Sequence, residues 1–196
     1  MATGTVGPTG TVQPTAAASR TTELFARRGD PTRALSGEAE GIAAACHAMA
    51  GRFYRGGRLV VFGAGASEPD AAHVVVEFVH PVIVGKRALP AFALAGPDQP
   101  AQLELLAAPE DIALGLASSP DAAEVADTLA VARRMGMLTV ALVGGDGGAV
   151  ARRGLADHLL RADSGDPLVV KELQVTTYHV LWELVHVFFD QPELLS

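Results

Sequence analysis

Residues 58–77, RLVVFGAGASEPDAAHVVVE, decide how this chain reads. Leu59, Val60, Val61 and Phe62 form a short apolar run rich in β-branched residues, the pattern of a buried strand. Gly63-Ala64-Gly65-Ala66 turn the chain, and Ser67 with Asp70 opens a segment in which His73 and Glu77 stand four residues apart. On a helix that spacing places an imidazole and a carboxylate on one face, one turn from each other. A strand, a small-residue loop and a helix start followed by an acid/base pair form the unit that the rest of the chain serves.

Upstream, Ser36 is expected to cap a helix in which Ala39, Ile42, Ala43, Cys46, Met49, Ala50 and Phe53 recur at helical spacing before Gly56-Gly57 stops it. Cys46 lies on that apolar face and reads as a core thiol. A short helix is expected from Arg20 to Arg28, ended by Gly29-Asp30-Pro31. Residues 1–19 carry no charge and are mostly Thr, Gly, Pro, Ala and Val, so they read as a disordered tail, with residues 20–196 as a single domain.

Downstream, Leu89–Leu94, Asp111–Ala117, Leu138–Val143 and His158–Leu160 are strand candidates. Helices are expected through Leu103 and Leu106, from Ser118-Ser119-Pro120-Asp121 to Arg134, and from about Pro167 to Phe189. Strands alternating with helices predict an α/β fold, a three-layer doubly wound sandwich around a mostly parallel five-stranded sheet.

Composition narrows the function. A net charge of −7 without a dense Lys/Arg stripe argues against nucleic acid. One cysteine rules out an internal disulfide and a zinc–thiolate cage. Apolar runs break before the ~18 residues of a membrane span, and no secretory signal is evident, so cytoplasmic residence without a membrane partner is expected. Ligands of open parallel sheets bind beyond the carboxyl ends of the strands. Two loops qualify, Gly63–Ser67 and Ala117–Asp121, where hydroxyls and free N–H groups suit a phosphate, although a Ser or Asp at a helix start also serves as an ordinary cap.

In their order these motifs resemble the sugar isomerase (SIS) family, and within it the phosphoheptose isomerases. The matching pieces are Asp70, His73, Glu77 and Phe78; Arg87, Leu89, Pro90 and Ala91; Ser118 and Ser119; Gly136-Met137 through Leu142 to Gly148; and Tyr178-His179-Val180-Leu181. The resemblance implies a SIS, flavodoxin-like fold and aldose–ketose isomerisation of a sedoheptulose 7-phosphate-type substrate through an enediol. It implies Glu77 as the base and His179 as its acid/base partner. It also implies a small phosphorylated sugar as ligand, held by Gly63, Gly65, Ser67, Ser118, Ser119, Asp98 and Lys171, and a homo-oligomer, tetramer or dimer, with sites at its interfaces. Zinc is the cofactor the family suggests, through His73, Glu77 and His179. Its fourth ligand position, eight residues before His179, is Lys171, whose ammonium cannot ligate a metal. Such a lysine could instead pair with Glu77 or stabilise an enediolate.

The loops depart from the family pattern. Ala64 and Ala66 stand where the family has Asn and Gly, the second loop keeps two of four hydroxyls, and Glu68 and Asp121 add negative charge beside the expected phosphate. A shorter segment, Asp98 to Glu110, replaces one that walls the family pocket. Two functions compete: an isomerase working through Glu77 and His179, and a catalytically degenerate module that binds a sugar-like ligand for regulation or assembly. Without the resemblance, Glu77 reads as an ion-pair partner and His179 as a packing residue. A dinucleotide-binding reading fails because GAGASE lacks the third glycine of the fingerprint.

Overall fold

The computed structural model describes residues 14–119 and 122–195. Residues 1–13, the greater part of the expected tail, and Asp121 lie outside the described residues. Five strands, β1 (Leu59–Gly63), β2 (Ala91–Ala93), β3 (Ile112–Ala117), β4 (Leu138–Gly144) and β5 (His158–Ala162), form one sheet in the order β2-β1-β3-β4-β5. Every pairing is parallel, with Leu59 opposite Ala91 and Ile112, and Val140 opposite His158. The helices are α1 (Pro14–Gly37), α2 (Ala39–Tyr54), α3 (Glu68–Val79), α4 (Gln99–Leu106), α5 (Ala123–Met135), α6 (Gly148–Arg152) and α7 (Pro167–Phe189).

Alternation along each strand divides the interior into two cores. Leu59, Val61, Ile112, Leu114, Leu116, Val140 and Leu142 face α2, α3 and α7, while Val60, Phe62, Ala113, Ala141 and Val143 face α4, α5 and α6. β1 and β3 are central and fully buried, which explains their unbroken apolar runs. This is the expected three-layer, doubly wound arrangement. Its strand order reverses direction between β1 and β3, where ligands of such sheets bind.

Polar pins hold both sheet edges. At the amino edge the Asp111 carboxylate accepts from Arg58 N at 2.8 Å, Arg58 Nη2 at 2.7 Å and Ala108 N at 3.0 Å. Burial acts to raise this carboxyl, but the guanidinium and the two amides outweigh it and hold it below the ordinary carboxylate range. At the carboxyl edge the buried Gln174 amide of α7 donates to Ala117 O at 3.0 Å and Leu142 O at 2.8 Å, tying α7 to β3 and β4.

Local structure differs from the sequence reading in four places. Pro14–Ser19, assigned by composition to a tail, are the first turns of α1. α1 also runs on through Pro31, because Arg27 and Arg28 pair with Asp166 and Glu172 at the start of α7 and hold the helix down. Ser36 therefore does not cap α2; it lies inside α1, its hydroxyl donating to Arg33 O. α5 starts at Ala123, so Ser118 and Ser119 belong to the bend that follows β3 rather than to a helix N-terminus.

Candidate functional site

The first loop is built around a close approach. A Cβ on Gly63 would meet Ser67 O at 2.6 Å, and Gly65 adopts φ +57°, so two glycines let the chain fold into the tight turn Gly65–Ser67 before α3. Ser67 is fully buried, and its Oγ accepts from Ser118 N at 3.3 Å and lies 3.2 Å from Ser118 Oγ. The two loops are thus stitched together across the β1/β3 switch point. Outside that stitch is a cleft of about 410 Å³ lined by Ala64, Gly65, Ala66, Ser118, Ser119, Ala122 and Pro167.

The predicted binding residues therefore divide. Gly65, Ser118 and Ser119 line the cleft, while Gly63 and Ser67 lie behind it, the Gly63 carbonyl accepting from Gln99 Nε2 at 2.9 Å. Asp98 is exposed at the start of α4, in the left-handed conformation with φ 64°, and is not among the residues lining this cleft. Glu68 turns to Gly96 N at 2.8 Å.

The acid/base groups come from α3 and α7, which pack side by side in parallel register. Asp70, His73 and Glu77 share one face of α3, and Lys171, Tyr178 and His179 meet them in the same order along α7. Lys171 Nζ donates to Asp70 Oδ2 and to Ala66 O, each at 2.5 Å. One option in the sequence reading paired Lys171 with Glu77; its ion-pair partner is Asp70, because the register sets residue 171 against the first turn of α3 and residue 179 against the third.

Deeper along the pair, Glu77 Oε1 lies 3.0 Å from His73 Nε2 and 3.7 Å from His179 Nε2. Glu77 is mostly covered, with 16 % of its side chain exposed, and the two imidazoles are about half exposed. A second cleft, of about 310 Å³, opens here between Glu77, Val82, His179, Trp182 and Glu183. Tyr178 was part of the motif but had no role in the sequence reading. It is fully buried, with its hydroxyl 2.8 Å from His73 Nδ1. Burial, reinforced by the Asp70 and Glu77 charges, pushes this phenol up to about 12. No local spacing on α7 points to it, because its partner lies 105 positions away on α3.

His73, Glu77 and His179 each offer one ligand atom, all within 4.8 Å of one another. Tetrahedral zinc with bonds of roughly 2.0–2.1 Å sets its ligands about 3.4 Å apart, so these three donors fit a three-ligand site. Lys171, a donor only and held by Asp70, adds no fourth. Cys46, by contrast, is a core thiol pushed up to about 12 by burial.

Comparison with known proteins places this arrangement. No family model matches the chain. It is 36% identical over 162 residues to a phosphoheptose isomerase of Chlorobium phaeobacteroides, covering 74% of this chain and 71% of that one. To a phosphoheptose isomerase of Solidesulfovibrio magneticus it is 32% identical over 174 residues, covering 81% and 84%. The solved structure of a phosphoheptose isomerase from Francisella tularensis superposes with a TM-score of 0.79 at 23% identity, over 87% of this chain and 98% of the other.

Proposed function

The chain belongs to the phosphoheptose isomerase family, and we propose that it interconverts an aldose and a ketose of the sedoheptulose 7-phosphate type, with Glu77 as base and His179 as its partner. The observation that carries this reading is the convergence of His73 and His179 on the Glu77 carboxylate, at the positions the family motif assigns. In the ketose-to-aldose direction, Glu77 takes a proton from the carbon beside the carbonyl. His179 moves a proton from one enediol oxygen to the other, and Glu77 returns its proton to the neighbouring carbon. The 3.7 Å between Glu77 and His179 is too long for a hydrogen bond, so neither group is tied to the other when substrate enters.

The phosphate would lie against Gly65, Ser118 and Ser119 and the reacting carbons against Glu77. A divalent metal, when bound, would be held by His73, Glu77 and His179 and would polarise the substrate oxygens. Val82, which lines the second cleft, and its neighbours Ile83 and Val84 are exposed at 77%, 49% and 101%, which supports burial of that rim in a homo-oligomer.

Incubating the protein with sedoheptulose 7-phosphate and following the aldose phosphate by NMR tests the reading. Product is expected; none from folded protein, with or without added zinc, overturns it. One observation favours a second reading, a sugar-binding module without catalysis: among the described residues, no lysine or arginine lines the phosphate cleft. Ligand binding without turnover would support that alternative.

A further inference from the structure

The phosphate cleft is lined by backbone and small side chains, and a positive charge stands one residue behind its wall. Ala66 lines the cleft, and its carbonyl accepts from Lys171 Nζ at 2.5 Å. Pro167, one turn ahead of Lys171 on α7, lines the cleft as well. Farther along the same helix stands His179, so Lys171 lies between the phosphate cleft and the proton-transfer cluster. An ammonium carries three hydrogens. Asp70 Oδ2 and Ala66 O take two of them, the third has no acceptor among the described residues, and 34 % of the side chain is exposed.

The neighbouring charges are spent elsewhere. Arg27 and Arg28 of α1 are taken by Asp166 and Glu172, and Glu68 is turned to Gly96 N. Asp70, mostly buried on α3, is the carboxylate that touches the ammonium. A charge acts without contact: opposite charges several ångströms apart in a partly dry site still attract, and a carboxylate beside the ammonium offsets part of that attraction. A clamp and a charge therefore differ in what they predict for Asp70. If the pair only ties α3 to α7, removing either partner breaks the same contact and disturbs the loop in the same sense. If the ammonium draws an anion to the cleft, its partner acts with the opposite sign.

We propose that Lys171 is a specificity-determining residue: it supplies the positive charge that selects a phosphorylated ligand at the cleft of Gly65, Ser118 and Ser119, while Asp70 tempers that charge and holds the ammonium against Ala66 O. The proposal rests on the reading of that cleft as the phosphate site. Charge then reaches the anion from the helix pair, and the loops supply backbone and shape.

The test is a titration of the full chain with inorganic phosphate, followed by phosphorus-31 NMR, for the native protein, Lys171→Met, Asp70→Asn and the double variant. Lys171→Met is expected to weaken phosphate binding by about 10- to 100-fold, and Asp70→Asn to tighten it by about 2- to 10-fold. The double variant, which leaves no carboxylate stranded, is expected to bind as weakly as Lys171→Met although its stability recovers. Native-like affinity in Lys171→Met overturns the proposal, as does an Asp70→Asn affinity that fails to exceed the native one, recovery of affinity in the double variant, or a native chain that binds no phosphate. Turnover of sedoheptulose 7-phosphate is measured separately. A chain that isomerises it while Lys171→Met binds phosphate normally keeps the isomerase reading and loses this proposal. A chain that binds phosphate in the expected order without turnover does the reverse.

Discussion

The carboxyl edge of the sheet has two halves built on different principles. In the helix half, between α3 and α7, side chains carry the interactions: Lys171 on Asp70, Tyr178 on His73, His73 on Glu77, and His179 beside it. In the loop half, Gly65, Ala66 and Ala64 supply mostly backbone, and the hydroxyl of Ser67 is used up in binding the loops to each other. Under the proposed function, the contrast teaches that the described residues furnish side chains for moving protons and, at the loops, mostly backbone for gripping an anion. Substrate recognition at the loops would then rest on backbone N–H groups and shape, and chemistry on a few side chains.

The sharpest way to break that contrast is at Glu77. Glu77→Gln keeps the volume and leaves an amide oxygen for His73, so the fold should hold while kcat falls by about 10²- to 10⁴-fold, measured as initial rate of aldose formation. A rate near that of the native chain would remove the carboxylate from the chemistry. The Lys171–Asp70 pair is next in size. Lys171→Met strands the buried Asp70 carboxylate, and chemical denaturation should register a loss of roughly 1–3 kcal/mol, most of it regained in the double variant with Asp70→Asn. If the single variant is as stable as the native chain, the pair contributes no net stability between α3 and α7. Smallest is the effect expected in the loops. Ser118→Ala removes one hydroxyl from a cleft that works through its backbone, so KM should rise by only about 2- to 5-fold with kcat nearly unchanged. A KM rise of more than about 100-fold would show that side chains grip the anion here too.

The fold was largely legible because its strands are central. Buried on both faces, β1, β3 and β4 could be read as near-continuous apolar runs ended by glycine or serine, and the alternation with helices implied parallel crossovers. α1 was misread because Gly29-Asp30-Pro31 is a local stop signal overridden by tertiary ion pairs from Arg27 and Arg28 to α7. Within the site, His73 and Glu77 were visible as a local spacing. Tyr178 was not, since its contact depends on a residue 105 positions away that only the packing of α3 on α7 brings to it. Lys171 was noticed for its charge, yet its Asp70 partner is fixed by helix register, which no single segment encodes.

The most direct test of the account is isotopic: convert sedoheptulose 7-phosphate in deuterium oxide and locate deuterium in the product by NMR and mass spectrometry. Proton transfer through an enediol by a base open to solvent predicts deuterium on the carbon next to the aldehyde. Conversion that keeps the substrate's own hydrogen there, as a direct hydride shift would, or that persists undiminished in Glu77→Gln, would contradict it.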